Sequence, residues 1–270
     1  MTESDQPSEP PDFLLSLVVP VFFEEDCIEQ FITEISRELD GRYNWEVVFI
    51  DDGSRDRTVD LIKARAQDNP RIKLLVLSYN HGKEAAFTAG VNFAKGDYLI
   101  YMDPDLQDPP EEIPRFVDRA LEGYDLVFGV REEKRDKFLN RIFSSLFWWI
   151  LDRFTNLDLP RPLAVMRIFN RRFADEFLRY SEANRFIEGL FMKIGMRWTT
   201  LTIQQRDRFA GESKFTFYRK LKLAIKAIFD YSELPLRLAT AFGSVLVGLS
   251  LVAAFVLVFL RLFVMDFQLG

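Results

Sequence analysis

The chain has 270 residues, 48 % of them apolar and 28 % charged, which supplies a core for one large domain or two small ones and excludes wholesale disorder. Its net charge of −6 gives no electrostatic reason to expect nucleic acid as a partner. The single cysteine, Cys27, rules out an internal disulfide and fits a free thiol in a reducing compartment.

Residues 1–12 are acidic, polar and proline-rich, the composition of a disordered tail and not of a signal peptide. Residues 14–21 form a short apolar run with β-branched members, which predicts a strand. Residues 24–39 place Ile28, Phe31, Ile32, Ile35 and Leu39 at helical spacing. The pattern repeats with a strand over 45–50, a turn at Asp51-Asp52-Gly53-Ser54 and a helix over 58–67, then a strand over 72–77 and a helix over 85–94. A strand over 98–102, a helix over 113–121 that begins near a proline and a strand over 124–129 follow. This alternation predicts an α/β domain with a mainly parallel sheet and helices on both faces. Ligands of such sheets bind at the carboxyl ends of the strands, where Pro20, Asp51, Asp52, Asp103 and Asp105 fall.

Gly96 to Pro110 holds the strongest chemical signal: an apolar strand ends in Asp103-Pro104-Asp105-Leu106-Gln107-Asp108-Pro109-Pro110. Two carboxylates one residue apart suit a hard divalent cation, because Mg²⁺ takes oxygen ligands and completes its shell with water and substrate phosphates. The same residues also suit a plain turn.

Beyond the α/β pattern, residues 138–151 are aromatic and partly amphipathic, suited to core packing or to an interfacial helix. Residues 218–229, with Lys220, Lys222 and Lys226 among apolar neighbours, are the stronger interfacial candidate. Residues 238–260 carry no charge and make roughly 34 Å of helix, enough for the ~30 Å hydrocarbon core. A buried core helix is the other interpretation, but an all-round apolar surface of that length is hard to cover in so small a domain. Lys214, Arg219, Lys220, Lys222, Lys226 and Arg237 precede the span and only Arg261 and Asp266 follow, so the positive-inside rule puts the large N-terminal region in the cytoplasm. Gly243, Ser244, Gly248 and Ser250 permit self-association as a homo-oligomer. The expected organisation is a tail (1–12), a cytoplasmic catalytic domain (13–215), a juxtamembrane amphipathic region (216–235), a transmembrane helix (236–264) and a short tail (265–270).

Five segments, Val18-Val19-Pro20-Val21-Phe22-Phe23-Glu24-Glu25, Asp51-Asp52-Gly53-Ser54, Asn80-His81-Gly82-Lys83-Glu84, Asp103 to Glu111, and Arg208-Phe209-Ala210-Gly211-Glu212-Ser213-Lys214-Phe215, occur in this order before a membrane helix. Together they resemble the membrane-attached polyprenyl-phosphate glycosyltransferases of glycosyltransferase family 2, over residues 14–262. The resemblance implies a GT-A fold, a Rossmann-like sheet with a nucleotide-sugar at its edge. It also implies inverting transfer of a sugar from a UDP- or GDP-sugar to a polyprenyl phosphate at the cytoplasmic face of the inner membrane. On it, Pro20, Glu24 and Asp52 line the nucleotide pocket, and Asp103 and Asp105 hold Mg²⁺ or Mn²⁺, Asp105 as the main ligand. Lys83 and Arg206 contact phosphate, Gln107 contacts a sugar hydroxyl, and Arg167, Arg208 and Lys214 orient the acceptor phosphate. His81, the only histidine, stands where relatives commonly have an aromatic residue, and a packing or loop role suits it better than that of a base.

The chain departs from the pattern in places. Relatives usually carry Gly-Asp-Phe-Arg-Leu where this chain has Ala164-Val165-Met166-Arg167-Ile168, so Val165 replaces a carboxylate regarded as a base or acceptor-positioning group. Phe22-Phe23 replaces the usual Tyr-Asn and Tyr79 a frequent arginine, changes that bear on donor choice. Two alternatives follow: a transferase of the same fold acting on a glycan or diacylglycerol, and a catalytically weak, membrane-tethered protein that binds nucleotide-sugar.

Overall fold

A computed structural model describes residues 11–132, 159–180, 187–206 and 234–263. The helices expected over 138–151 and 218–229 lie outside the described residues, as do most of both tails. The chain divides into two compact units, one holding the sheet and its helices and the other the C-terminal helix.

The described strands are β1 (Leu14–Val21), β2 (Asn44–Asp51), β3 (Ile72–Val76), β4 (Tyr98–Tyr101), β5 (Leu126–Arg131), β6 (Leu163–Asn170) and β7 (Trp198–Ile203). The helices of this unit are α1 (Ile28–Leu39), α2 (Thr58–Asp68), α3 (Lys83–Phe93), α4 (Ile113–Leu121), α5 (Arg171–Arg179) and α6 (Ile187–Ile194). The strands form one sheet in the order β3-β2-β1-β4-β6-β5-β7. β1 to β4 run parallel, β6 is antiparallel to both β4 and β5, and β7 runs parallel to β5. The sheet is therefore mainly parallel, as expected, with one reversed strand.

Period-two alternation sorts the strand side chains onto two apolar faces. Leu15, Leu17, Val19, Val47 and Phe49 pack with α1, α2 and α4, whereas Val18, Val48, Ile50 and Tyr101 pack with α3, α5 and α6. Coverage of both faces explains why β1 and β2 read as near-continuous apolar runs. Helix α3 approaches β1 and β2 so closely that a Cβ on Gly90 would fall 2.4 Å from Ile50 and 2.5 Å from Val18.

At the opposite, amino end of the strands, Glu46 is buried and accepts from the Ser16 hydroxyl at 2.6 Å and the Lys95 amide at 2.8 Å while pairing with Lys73. Burial alone pushes the Glu46 pKa up, but the Lys73, Lys95 and Ser16 hydrogen bonds outweigh it and hold the carboxyl below its usual range. A lowered folded-state pKa contributes stability above the unfolded value that is lost as pH falls through the folded value. Glu46→Gln should therefore cost about 1–2 kcal/mol at pH 7. The deficit relative to wild type should shrink below about pH 4, which denaturant midpoints measured across pH will show.

In the second unit, α7 (Leu234–Phe263) is a 30-residue helix. Within its segment Leu236–Phe263 an 18-residue stretch reaches a mean hydropathy of 2.6, and the helix is long and apolar enough to cross a membrane.

Candidate functional site

The carboxyl ends of β1 to β4 lie side by side, and the loops after them are bonded together. The Phe23 amide donates to the Ser54 hydroxyl at 3.0 Å and the Glu24 amide to the Thr58 hydroxyl at 3.0 Å, so the loop after β1 is fixed on the loop after β2. Phe23 adopts φ 55°, a left-handed conformation uncommon for a bulky side chain and one that concentrates at functional sites.

The consecutive carboxylates Asp51 and Asp52 do different things. Asp52 accepts the His81 amide at 2.7 Å and the Gly82 amide at 2.9 Å, which ties the 80–82 loop to β2. Asp51 accepts from the Gly53 and Ser54 amides through Oδ2, while its Oδ1 is buried without a hydrogen-bond partner among the described residues. Gly53, at φ 85°, lets the loops meet, since a Cβ there would lie 3.0 Å from the Asn80 amide nitrogen. Between them opens a cleft of about 550 Å³ lined by Phe22, Phe23, Asp51, Arg55, Tyr79 and Asn80, among others. Asp51 was not assigned a role from sequence, where only its strand-end position signalled it, whereas Phe22, Phe23 and Tyr79 were read there as bearing on donor choice. Pro20 is buried inside β1, opposite Ile50, and Glu24 is half-buried at the head of the first loop.

Lys83 opens α3, directly after the loop that Asp52 anchors. Its Nζ lies 2.7 Å from both oxygens of Asp103 and 5.4 Å from the centre of the Tyr101 ring. Burial draws the lysine pKa down, but Asp103 and Tyr101 outweigh it and hold the ammonium above the usual lysine range. Burial also raises the Tyr101 pKa, so that hydroxyl stays protonated. Lys83, Tyr101 and Asp103 are thus brought together at the end of β4.

The loop after β4 is closely held. Asp105 is 8 % exposed and accepts the Gln107 amide at 3.1 Å, and Leu106 adopts φ 58° between them. Asp108 accepts the Val165 and Met166 amides at 2.9 and 2.8 Å and the Gln205 side-chain amide at 2.8 Å. The acidic loop is therefore clamped both to the start of β6 and to the segment after β7, a positioning role not read from sequence. Arg206 donates its backbone amide to the Gln107 carbonyl, and its guanidinium bonds Glu34 at 2.8 Å and Glu111 at 2.5 Å. Partial burial acts against its charge, but the two carboxylates hold its pKa above the ordinary arginine value.

Arg167 lies in the core, 2 % exposed, among the rings of Tyr101, Phe128 and Phe191. It donates to the Val165 carbonyl at 3.0 Å and pairs with Glu188 at 3.3 Å, leaving Nη1 buried without a partner among the described residues. Arg208 and Lys214 lie outside the described residues.

No group of three or more His, Cys, Asp or Glu side chains that would hold a metal occurs among the described residues. Asp103 and Asp105 fit a cation of another kind, one that uses one or two carboxylates and takes its remaining ligands from water and phosphate.

Solved structures with this fold include the glucosyl-3-phosphoglycerate synthase of Mycobacterium tuberculosis in complex with Mn²⁺, UDP and glucosyl-3-phosphoglycerate. It matches with a TM-score of 0.56 at 20 % identity, covering 80 % of this chain and 78 % of that one. The same synthase has been solved with Mg²⁺ and UDP, with a TM-score of 0.55. The fold is GT-A. Among sequence relatives, the undecaprenyl-phosphate 4-deoxy-4-formamido-L-arabinose transferase of Aeromonas hydrophila is 33 % identical over 92 % of this chain and 77 % of its own length. The uncharacterized glycosyltransferase YkcC of Bacillus subtilis matches with the same identity and shares. With the model of glycosyl transferase family 2 matching residues 16–177, a stretch that runs from β1 into α5 and carries the acidic loop, Lys83 and the Asp51 cleft, the chain belongs to that family.

Proposed function

We propose that the chain transfers a sugar, with inversion, from a UDP- or GDP-sugar to a polyprenyl phosphate at the cytoplasmic face of the inner membrane. The observation that carries this is the meeting of the Asp103-Asp105 loop, Lys83 and the Asp51 cleft at one sheet edge, in a chain that also has a helix apolar enough to span a bilayer. The similarity to undecaprenyl-phosphate sugar transferases supports the acceptor.

In this account the cleft takes the nucleobase. Asp51 Oδ1, buried and without a partner among the described residues, is the acceptor that a ring N–H of uracil or guanine would reach on entering the cleft, and Phe23 and Tyr79 supply apolar surface at the rim. Asp105, with Asp103, holds Mg²⁺ or Mn²⁺, which supplies charge stabilisation for the departing diphosphate. Lys83 adds a fixed positive charge on the same side. A polyprenyl phosphate has a second pKa near ~6 and is largely ionised at neutral pH, so its oxygen attacks the anomeric carbon with little need of a base. The new phosphate–carbon bond forms as the carbon–diphosphate bond breaks and its electron pair leaves with the nucleotide. No covalent enzyme intermediate is needed.

Val165 favours the weak, tethered binding protein as the second interpretation, because it can neither take a proton nor bind a cation. Alternation along β6 puts residue 165 on the same face as Arg167, whose Nη1 lacks a partner among the described residues. Val165→Asp should therefore preserve or raise turnover, measured as kcat with saturating donor; abolished activity in a folded variant would contradict this role for the position. The function itself is tested with membranes, Mg²⁺ or Mn²⁺, undecaprenyl phosphate and a panel of radiolabelled nucleotide-sugars. Label in the lipid extract that depends on the added lipid phosphate is the expected result. Binding without transfer across the panel supports the tethered binding protein, and label in diacylglycerol or glycan supports the same-fold alternative.

A further inference from the structure

Asp103 presents both of its oxygens to one cation, and that cation is Lys83, at 2.7 Å from each. The placement costs something locally. Lys83 is the first residue of α3, where the positive end of the helix dipole disfavours a cation and favours an anion. An ammonium is stable there because Asp103 and the Tyr101 hydroxyl and ring compensate it. The backbone before it is held, since Gly82 at φ 95° and the His81 amide are fixed through Asp52. The lysine side chain is 41 % exposed, so it borders solvent and not only packed neighbours.

A carboxylate closed by an ammonium is a poor ligand for a second cation, whereas a helix N-terminus carrying an ammonium is a good seat for phosphate. We propose that Lys83 is a counter-cation exchanged between Asp103 and the donor diphosphate: it closes Asp103 while the site is empty and turns to the diphosphate when nucleotide and divalent cation arrive together. The proposal rests on the donor reading above and gives it an order, in which nucleotide and metal bind cooperatively because each removes the other's competitor. It also gives the chain a way to keep the Asp103 carboxylate compensated at the sheet edge before substrate is bound.

The test is a binding experiment on the full chain in detergent, with Mn²⁺ binding followed by electron paramagnetic resonance and UDP and GDP binding by calorimetry. Lys83→Met should tighten Mn²⁺ binding to the nucleotide-free protein by about 3- to 10-fold and weaken nucleoside diphosphate binding at saturating Mn²⁺ by about 10-fold. Lys83→Arg, which keeps a cation on Asp103, should stay within about 3-fold of wild type in the Mn²⁺ arm and carries the comparison if the methionine variant folds poorly. Mn²⁺ binding unchanged or weakened in Lys83→Met, or diphosphate affinity unchanged, overturns the exchange. A wild-type chain that binds neither UDP nor GDP overturns the donor reading itself, and is told apart from failure of the exchange alone because there the wild type still binds nucleotide.

Discussion

Asp105→Asn should lower sugar transfer by about 100- to 1,000-fold, the range expected when one preorganised group that offsets developing transition-state charge is removed. The substitution is close to isosteric, and the asparagine oxygen can still accept the Gln107 amide that Asp105 accepts at 3.1 Å, so the loop should keep its shape. What is lost is a negative charge on a group only 8 % exposed, where a cation is least screened. Turnover at saturating donor and Mg²⁺ measures the effect, and an unchanged melting temperature shows that the loss is chemical. Turnover within a few fold of wild type, or full activity of the wild-type chain without divalent cation, would contradict the role given to Asp105.

The second large effect is on stability. Arg167→Ala should cost about 3 kcal/mol, because it empties a large buried volume between aromatic rings and strips Glu188 of its partner. The guanidinium lies 5.2 Å from the Tyr101 ring centre, 5.8 Å from Phe128 and 5.6 Å from Phe191, so packing and cation–π attraction are lost together. Glu188 keeps 30 % of its side chain exposed and can turn to water, which limits the penalty on its side. Arg167→Met, which refills most of the space, should therefore cost about half as much. Denaturant midpoints will show the order; a loss below about 1 kcal/mol for the alanine variant would mean that the cage contributes little.

The behaviour of Arg167 also marks where the sequence becomes hard to read. β1 to β5 announce themselves by apolar runs and β-branched residues, and α1 and α4 by helical spacing, because each is buried on a regular face. β6 does not, since a fully charged side chain at its centre breaks the apolar run. Its compensation comes from rings on β4, β5 and α6 that no local window contains. β7 is an edge strand, largely half-buried and threonine-rich, so its pattern is weak.

At the site, residue types were legible and partners were not. Nothing local separates Asp51 from Asp52. The distinction arises because the 80–82 loop arrives from about thirty residues away to occupy the Asp52 carboxylate, leaving Asp51 to face the cleft. Arg206 is a phosphate contact on the resemblance, yet its guanidinium bonds Glu34, which lies 172 positions earlier. Asp108 looks like part of a turn, and only the approach of β6 and Gln205 makes it a clamp. Lys83 and Asp103, a phosphate contact and a cation ligand on the resemblance, are found in contact with each other.

The acceptor proposed for this chain is a polyprenyl phosphate, and ³¹P NMR follows it on undecaprenyl phosphate incubated with the purified chain, Mg²⁺ and a nucleotide-sugar from the panel. The lipid phosphomonoester resonance should be replaced by a phosphodiester resonance as nucleoside diphosphate appears. Nucleoside diphosphate formed while the lipid phosphomonoester signal stays unchanged would contradict it.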